Sequence, residues 1–339
     1  MEIGILTHPL LNNYGGIMQA LALKGQLEKM GHTVLILDRR HNLSYSKRYI
    51  NYLITFLRSN ILNKPDPLGM FCNKAFKRTP KIYSHKQLVK QIRNNKLDAV
   101  VIGSDQVWNA GFCKLRDLDY WGEFNEECNV KILSYAASMG VPEWNYDPLI
   151  TKKIVSLLKK FRGISVRETH LIPILSQIGI NNAKWVLDPT LLHSRKFYDQ
   201  YIIQSVDIDS PYVFIYWLGD ESLIPAIPQE YSKLPVVKCN LSSPTDNLSL
   251  EEWVTRIAKA KIVITNSFHG CAMSIVFEKH FIPFVHPNYI EARLITLFSK
   301  LSLKSKLTDP YSVESYPLIN EALDRYRKES IDFLNESLN

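Results

Sequence analysis

The chain has little of what marks secreted, metal-bound or membrane-spanning proteins. Its five cysteines, Cys72, Cys113, Cys128, Cys239 and Cys271, are odd in number and form no CxxC pair. That pattern indicates neither a disulfide framework nor zinc; it fits free thiols in a reducing compartment, so a cytoplasmic location is expected. No basic stretch precedes an apolar run at the N-terminus, and Met1 to Leu6 reads as a strand rather than a secretion signal. The longest apolar stretch worth testing as a membrane span, Tyr49 to Leu62, carries Arg58 and falls short of the roughly 20 residues a spanning helix needs. No repeat, low-complexity tract or GxGxxG fingerprint is present, and Asp207-Ile208-Asp209 lies in a linker, where a metal-binding reading is a coincidence. No metal and no cofactor are expected.

Acidic residues are nearly missing from one segment. Between Arg39 and Lys96 stand fourteen Lys and Arg against Asp66 alone, in a chain of net charge +8. Tyr45, Tyr49, Tyr52, Phe56, Phe71, Phe76 and Tyr83 interleave with these charges, a mixture that suits the headgroup layer of an anionic membrane. A solvated insertion is the alternative reading. Nucleic acid would be drawn to the same face but is not an expected partner.

What is present is a two-domain α/β protein. With 339 residues, 46% of them hydrophobic, the chain can bury two cores. Strand patterns are expected at Glu2 to Thr7, His32 to Asp38, Asp98 to Ile102, Val130 to Ala136, Gly163 to Val166 and Lys184 to Leu187. They are continuous apolar runs ending in small or polar residues, as buried parallel strands do. The pattern lapses after Asp199 and resumes at Tyr212 to Leu218, Val236 to Cys239, Lys261 to Thr265 and His280 to Val285. The expected organisation is an N-terminal domain over 1–205 holding the basic insertion 39–96, a C-terminal domain over 206–312, and a closing helix over 313–339 packed back on the first domain. The fold expected is two Rossmann-like domains facing across a cleft, with functional loops at strand C-termini.

Asn266-Ser267-Phe268-His269-Gly270 follows an apolar strand and opens a helix expected from Cys271, so the amides of Gly270 to Ala272 would favour an anion. His269 there can donate to phosphate or pass a proton, and Gly270 permits close approach by a ligand. Arg167, at the end of another apolar run, suits a small dianion, because guanidinium forks match phosphate and carboxylate. Asp105 in Gly103-Ser104-Asp105-Gln106-Val107-Trp108 is similarly placed, with Trp108 offering a face to a sugar ring. Asn13-Tyr14-Gly15-Gly16 could cradle a ligand or serve helix–sheet packing.

Taken together, Asn13 to Gly16 with Gln19-Ala20-Leu21, Val101 to Trp108, Ser134 to Gly140, Ile164 to Glu168, Leu187-Asp188-Pro189-Thr190 and Ile264 to Gly270 resemble the polysaccharide pyruvyl transferase family, in order and over roughly residues 1 to 300. The resemblance implies a GT-B-like fold, phosphoenolpyruvate as donor, and a pyruvate ketal on a lipid-linked or nucleotide-linked glycan precursor of a bacterial surface polysaccharide. It implies donor contacts for His269 and Arg167. The family often has aspartate at Asn266 and arginine at Ser267, and Arg293, at a frequently basic position, would replace the missing cation. Ser104, Gln106, Phe268 and the Asn13 to Gly16 segment are further substrate-binding candidates; His269 and Asp105 are the catalytic ones. The rival readings are a GT-B glycosyltransferase using a nucleotide sugar, and a non-catalytic glycan-binding or assembly protein.

Overall fold

The computed structural model of the chain describes residues 1–40, 66–111, 118–204, 211–240, 248–285, 292–303 and 316–339. The Tyr49 to Leu62 stretch, Cys113, Asp207 to Asp209 and the boundary set between 205 and 206 lie outside the described residues.

The first half runs β1 (Glu2–Leu6), α1 (Tyr14–Lys29), β2 (Thr33–Ile36), α2 (Pro67–Ala75), α3 (His85–Asn94), β3 (Ala99–Asp105), β4 (Lys131–Ala137), α4 (Pro148–Leu158), β5 (Gly163–Val166), α5 (Leu171–Gln177) and β6 (Ala183–Trp185). Its strands form one parallel sheet in the order β2-β1-β3-β4-β5-β6. The second half runs β7 (Val213–Trp217), β8 (Val236–Asn240), α6 (Leu250–Lys259), β9 (Ile262–Thr265), α7 (Phe268–Val276), β10 (His280–Pro283), α8 (Ala292–Lys300) and α9 (Tyr316–Leu338). A second parallel sheet follows, in the order β10-β9-β7-β8. Strands such as β3 and β9 are buried along their whole length, which is why they are apolar without alternation.

Each sheet has one place where the order of strand addition reverses, between β1 and β3 in the first and between β7 and β9 in the second. Helices there leave on opposite faces, and the loops part into a crevice at the strand C-termini. One apolar cluster joins the halves: Ile3, Tyr14 and Leu133 belong to the same core as Trp253, Val263 and Phe281. Tyr14 stacks on Trp253 at 5.4 Å and donates its hydroxyl to Leu248 O. Helix α9 returns to the first sheet, where Ser330 Oγ accepts the Leu187 amide and Leu338 O accepts from Lys131 Nζ.

Helix α7 starts at Phe268, earlier than the expected Cys271, and α1 starts at Tyr14. Asn13 caps α1 by accepting the Gly16 amide, and Ser267 caps α7 by accepting the Gly270 amide. Capping draws the glycines and His269 into the first turns instead of leaving them in loops. Part of the described basic segment is buried. Arg39 is buried on Asp119 at 2.8 Å, Arg40 pairs with Asp38, and Phe71 and Phe76 enter the core. Among its described residues Lys74, Lys77, Lys81, Lys86, Lys90, Arg93 and Lys96 are exposed, most of them on α3 or beside it.

Candidate active site

The two reversal points face one another across a pocket of about 790 Å³. From the first sheet come His8 beyond β1, Asn13 at the start of α1, and Asp105 and Gln106 at the end of β3. From the second come Leu218, Gly219 and Asp220 beyond β7, Asn266 to His269 between β9 and α7, Phe284 beyond β10, and Arg293 on α8. Asp105 is held at φ +76, in the left-handed region, a conformation that costs a non-glycine residue roughly 1 kcal/mol or more and persists where surroundings impose it.

Beneath the pocket lies a buried ionic network centred on Asp188. Its Oδ2 accepts from Arg167 at 2.8 Å and from Ser104 Oγ at 3.3 Å, while Oδ1 accepts the amide and hydroxyl of Thr190. The other arm of Arg167 reaches Asp105 at 3.3 Å. His269 Nε2 stands 3.8 Å from Asp188 Oδ2, an electrostatic contact longer than a hydrogen bond. Burial opposes the charge on Asp188, but His269, Arg167 and Thr190 outweigh it and hold the carboxyl well below the usual carboxylate range. Asp105 balances the same way: burial raises its pKa, while Arg167, His269, His8 and Arg293 bring it down to about 2. Glu168 goes the other way. Burial pushes its carboxyl up, and the Arg167 charge and the Ser138 hydroxyl that donates to it only temper the effect. The Phe268 ring lies between two guanidinium groups, with that of Arg167 4.9 Å from its centroid and that of Arg293 at 5.9 Å.

A parallel two-sheet crevice holding imidazole, guanidinium and carboxylate groups suits an anionic substrate. The sequence model of the family described as polysaccharide pyruvyl transferase matches residues 13–288. The chain belongs to the polysaccharide pyruvyl transferase family. No curated protein matches it. Among solved structures it is similar to S. aureus MnaA in complex with UDP, with TM-score 0.54, 12% identity, and 99% of this chain and 91% of that chain covered. It is likewise similar to Arabidopsis thaliana UGT89C1 complexed with UDP-L-rhamnose, with TM-score 0.52, 10% identity, and 99% and 98% covered. At these identities the likeness concerns the fold, which is GT-B-like.

Of the residues singled out from the sequence of this family member, His269, Asp105, Gln106, Asn13, Ser267, Phe268 and Arg293 line the one pocket. Others do different work. Trp108 is no platform for a sugar: its ring is fully buried and stacked on Trp121 at 4.5 Å. Tyr14 is buried in the contact between the halves, Gly16 closes the α1 cap, and Ser104 holds Asp188 and Ala136 O. Gly270 lies against Thr265 and Tyr216, where a Cβ would come within 2.5 Å of the Thr265 hydroxyl, so its smallness serves packing and not a ligand. Gly15 lies against His269. Arg167 sits behind Phe268 with both terminal nitrogens committed to carboxylates. Asn266 is tied to the backbone of Leu218, giving through Nδ2 and accepting through Oδ1; an aspartate would lose the first bond. The sequence reading missed His8 and the role of Asp188. His8 follows the first apolar strand and was findable in principle, but only the sheet order shows that β1 borders the crevice.

Proposed function

We propose that the chain transfers pyruvate from phosphoenolpyruvate to a hydroxyl pair of a sugar in a surface-glycan precursor, forming a ketal and releasing phosphate. The observation that carries this reading is the convergence of His8, His269, Arg293 and Asp105, from both sheets, on one pocket. In the reaction the methylene carbon of the enol phosphate takes a proton and becomes the methyl group, leaving an oxocarbenium-like C2. One sugar hydroxyl adds to C2 with loss of its proton, the C2–O bond to phosphate breaks, and the second hydroxyl closes the ring with loss of its own. His269 is the group for the first proton or for the phosphate it leaves behind, with Arg293 and the amides opening α7 supplying positive charge. An ionised Asp105 with a pKa near 2 is a weak base, so it orients a hydroxyl by accepting its hydrogen bond. His8, the other imidazole on the pocket wall, receives one hydroxyl proton, and the released phosphate carries away the other. Arg167 holds Asp105 and Asp188 in place for these contacts.

The pocket exceeds what a three-carbon phosphate fills, and the exposed Leu11, Leu218 and Leu223 all line it. That apolar wall suits the body of an acceptor attached to a lipid or nucleotide carrier. The exposed lysines and arginine about α3 suit peripheral contact with an anionic membrane face. A nucleotide-sugar glycosyltransferase is the second reading, favoured by the UDP held in both similar structures.

Mass spectrometry of nucleotide-linked and lipid-linked sugars incubated with the protein and phosphoenolpyruvate separates the two. A ketal product with stoichiometric phosphate, reduced roughly 10²-fold or more by His269→Ala, is the expected result. Nucleotide release from a sugar nucleotide with no ketal would overturn it.

A further inference from the structure

His269 belongs to a helix of the second sheet, yet two groups that meet its ring come from the first. Asp188 Oδ2 lies 3.8 Å from Nε2, and Gly15 lies against Nδ1, where a Cβ would stand only 2.1 Å away. Neither contact is needed to start α7, which Ser267 caps. Asp188 is not free to follow the ring, because Arg167, Ser104 and Thr190 bind it from three sides and its side chain is fully buried. Nε2 is itself buried, with no hydrogen-bond partner in the protein. A ring nitrogen lodged near an immobile carboxylate is held by charge, and contacts slightly too long in a free enzyme shorten when the site closes on its substrate.

We infer that Asp188 and Gly15 are positioning residues for His269, the carboxylate drawing Nε2–H toward the first sheet and the missing side chain at 15 leaving the slot that the ring fills. The inference rests on His269 acting in the proposed transfer. It makes the competence of that histidine a property of the two sheets together: the ring is carried by one half and registered by the other. It also gives Gly15 a reason independent of ligand contact. Alanine is the better helix former, so glycine in the first turn of α1 is explained by what a methyl group would displace.

The test uses the full chain labelled with ¹⁵N, with the His269 ring signals assigned by their loss in His269→Gln. At a pH where imidazole is neutral, the wild type is expected to carry its proton on Nε2. Asp188→Asn should reverse that preference, because the new amide can donate to Nε2 as the same exchange does beside a catalytic histidine. Should Asp188→Asn fail to fold, Gly15→Ala decides: its helix is retained, and its His269 ring signals should leave their wild-type positions. Where ketal formation is measured, Gly15→Ala should lower kcat roughly 10²-fold with KM for phosphoenolpyruvate nearly unchanged, the signature of misplacement. Wild-type ring signals in Gly15→Ala, or an unaltered tautomer in a folded Asp188→Asn, would overturn the inference. A wild type that makes no ketal would sink the proposed activity instead, while the ring signals still decide the positioning.

Discussion

At the residue scale, the site depends on one arginine shared by two acids. Arg167 is buried, and removing it would leave Asp188 and Asp105 in the interior without their common cation. Arg167→Met is therefore expected to cost about 3–5 kcal/mol in urea unfolding, as breaking a buried pair from one side does, and adding Asp188→Asn should restore part of that. A cost below about 1 kcal/mol would mean that the network is not ionic. The same pair shows how far residue chemistry was legible. An arginine at a strand end reads as an anion contact, and an anion contact it is, but the anions are the protein's own. Trp108 illustrates the converse, since an indole beside a candidate acid looks the same in sequence whether it faces a cleft or, as here, another indole.

At the element scale, caps and clips decide where helices begin and what they lean on. Ser249 and Glu252 close a capping box on α6, each side chain accepting the other's amide, in the Ser-x-x-Glu spacing that favours one. The starts of α1 and α7 are less legible because glycines after a strand look like loop; inside the helices Gly15 lies against His269 of the other half, while Gly270 lies against Thr265 and Tyr216 of its own. Helix α3 is clipped by His85, which reaches Asp119 at 2.6 Å and Glu127 at 3.1 Å. The Asp119 bond leads the effects that raise its pKa to about 9, against the opposing cost of burial. A folded pKa above the unfolded value means the contribution is complete below about pH 6.5 and is lost as pH rises through about 9. Thermal unfolding followed between about pH 6 and pH 10 should show wild-type stability declining over that window, with His85→Gln lower at the start and flatter. Parallel profiles for the two proteins would remove His85 from the account.

At the scale of the whole molecule, two sheets set their reversal points against each other and an apolar cluster drawn from both holds them there. Among the described residues no helix is long and apolar enough to cross a membrane. Reversing Lys86, Lys90 and Arg93 to glutamate should weaken cosedimentation with phosphatidylserine-containing vesicles by roughly 1 kcal/mol per residue at low salt, with no effect on neutral vesicles. Unchanged sedimentation would leave the solvated reading of the segment. The sequence by itself determined the strands, the closing helix and the α/β class, because burial between helix layers demands continuous apolar runs and their ends are marked by small and polar residues. It also marked the strand-to-helix junction that carries His269. Only the tertiary structure decided which strand ends are neighbours, and with them the pairing of His8 with His269 across one pocket, the committal of Arg167 to Asp188 and Asp105, and the seat of His269 on Gly15. Those contacts join residues far apart in the chain, and no local pattern encodes which side of a sheet a helix takes.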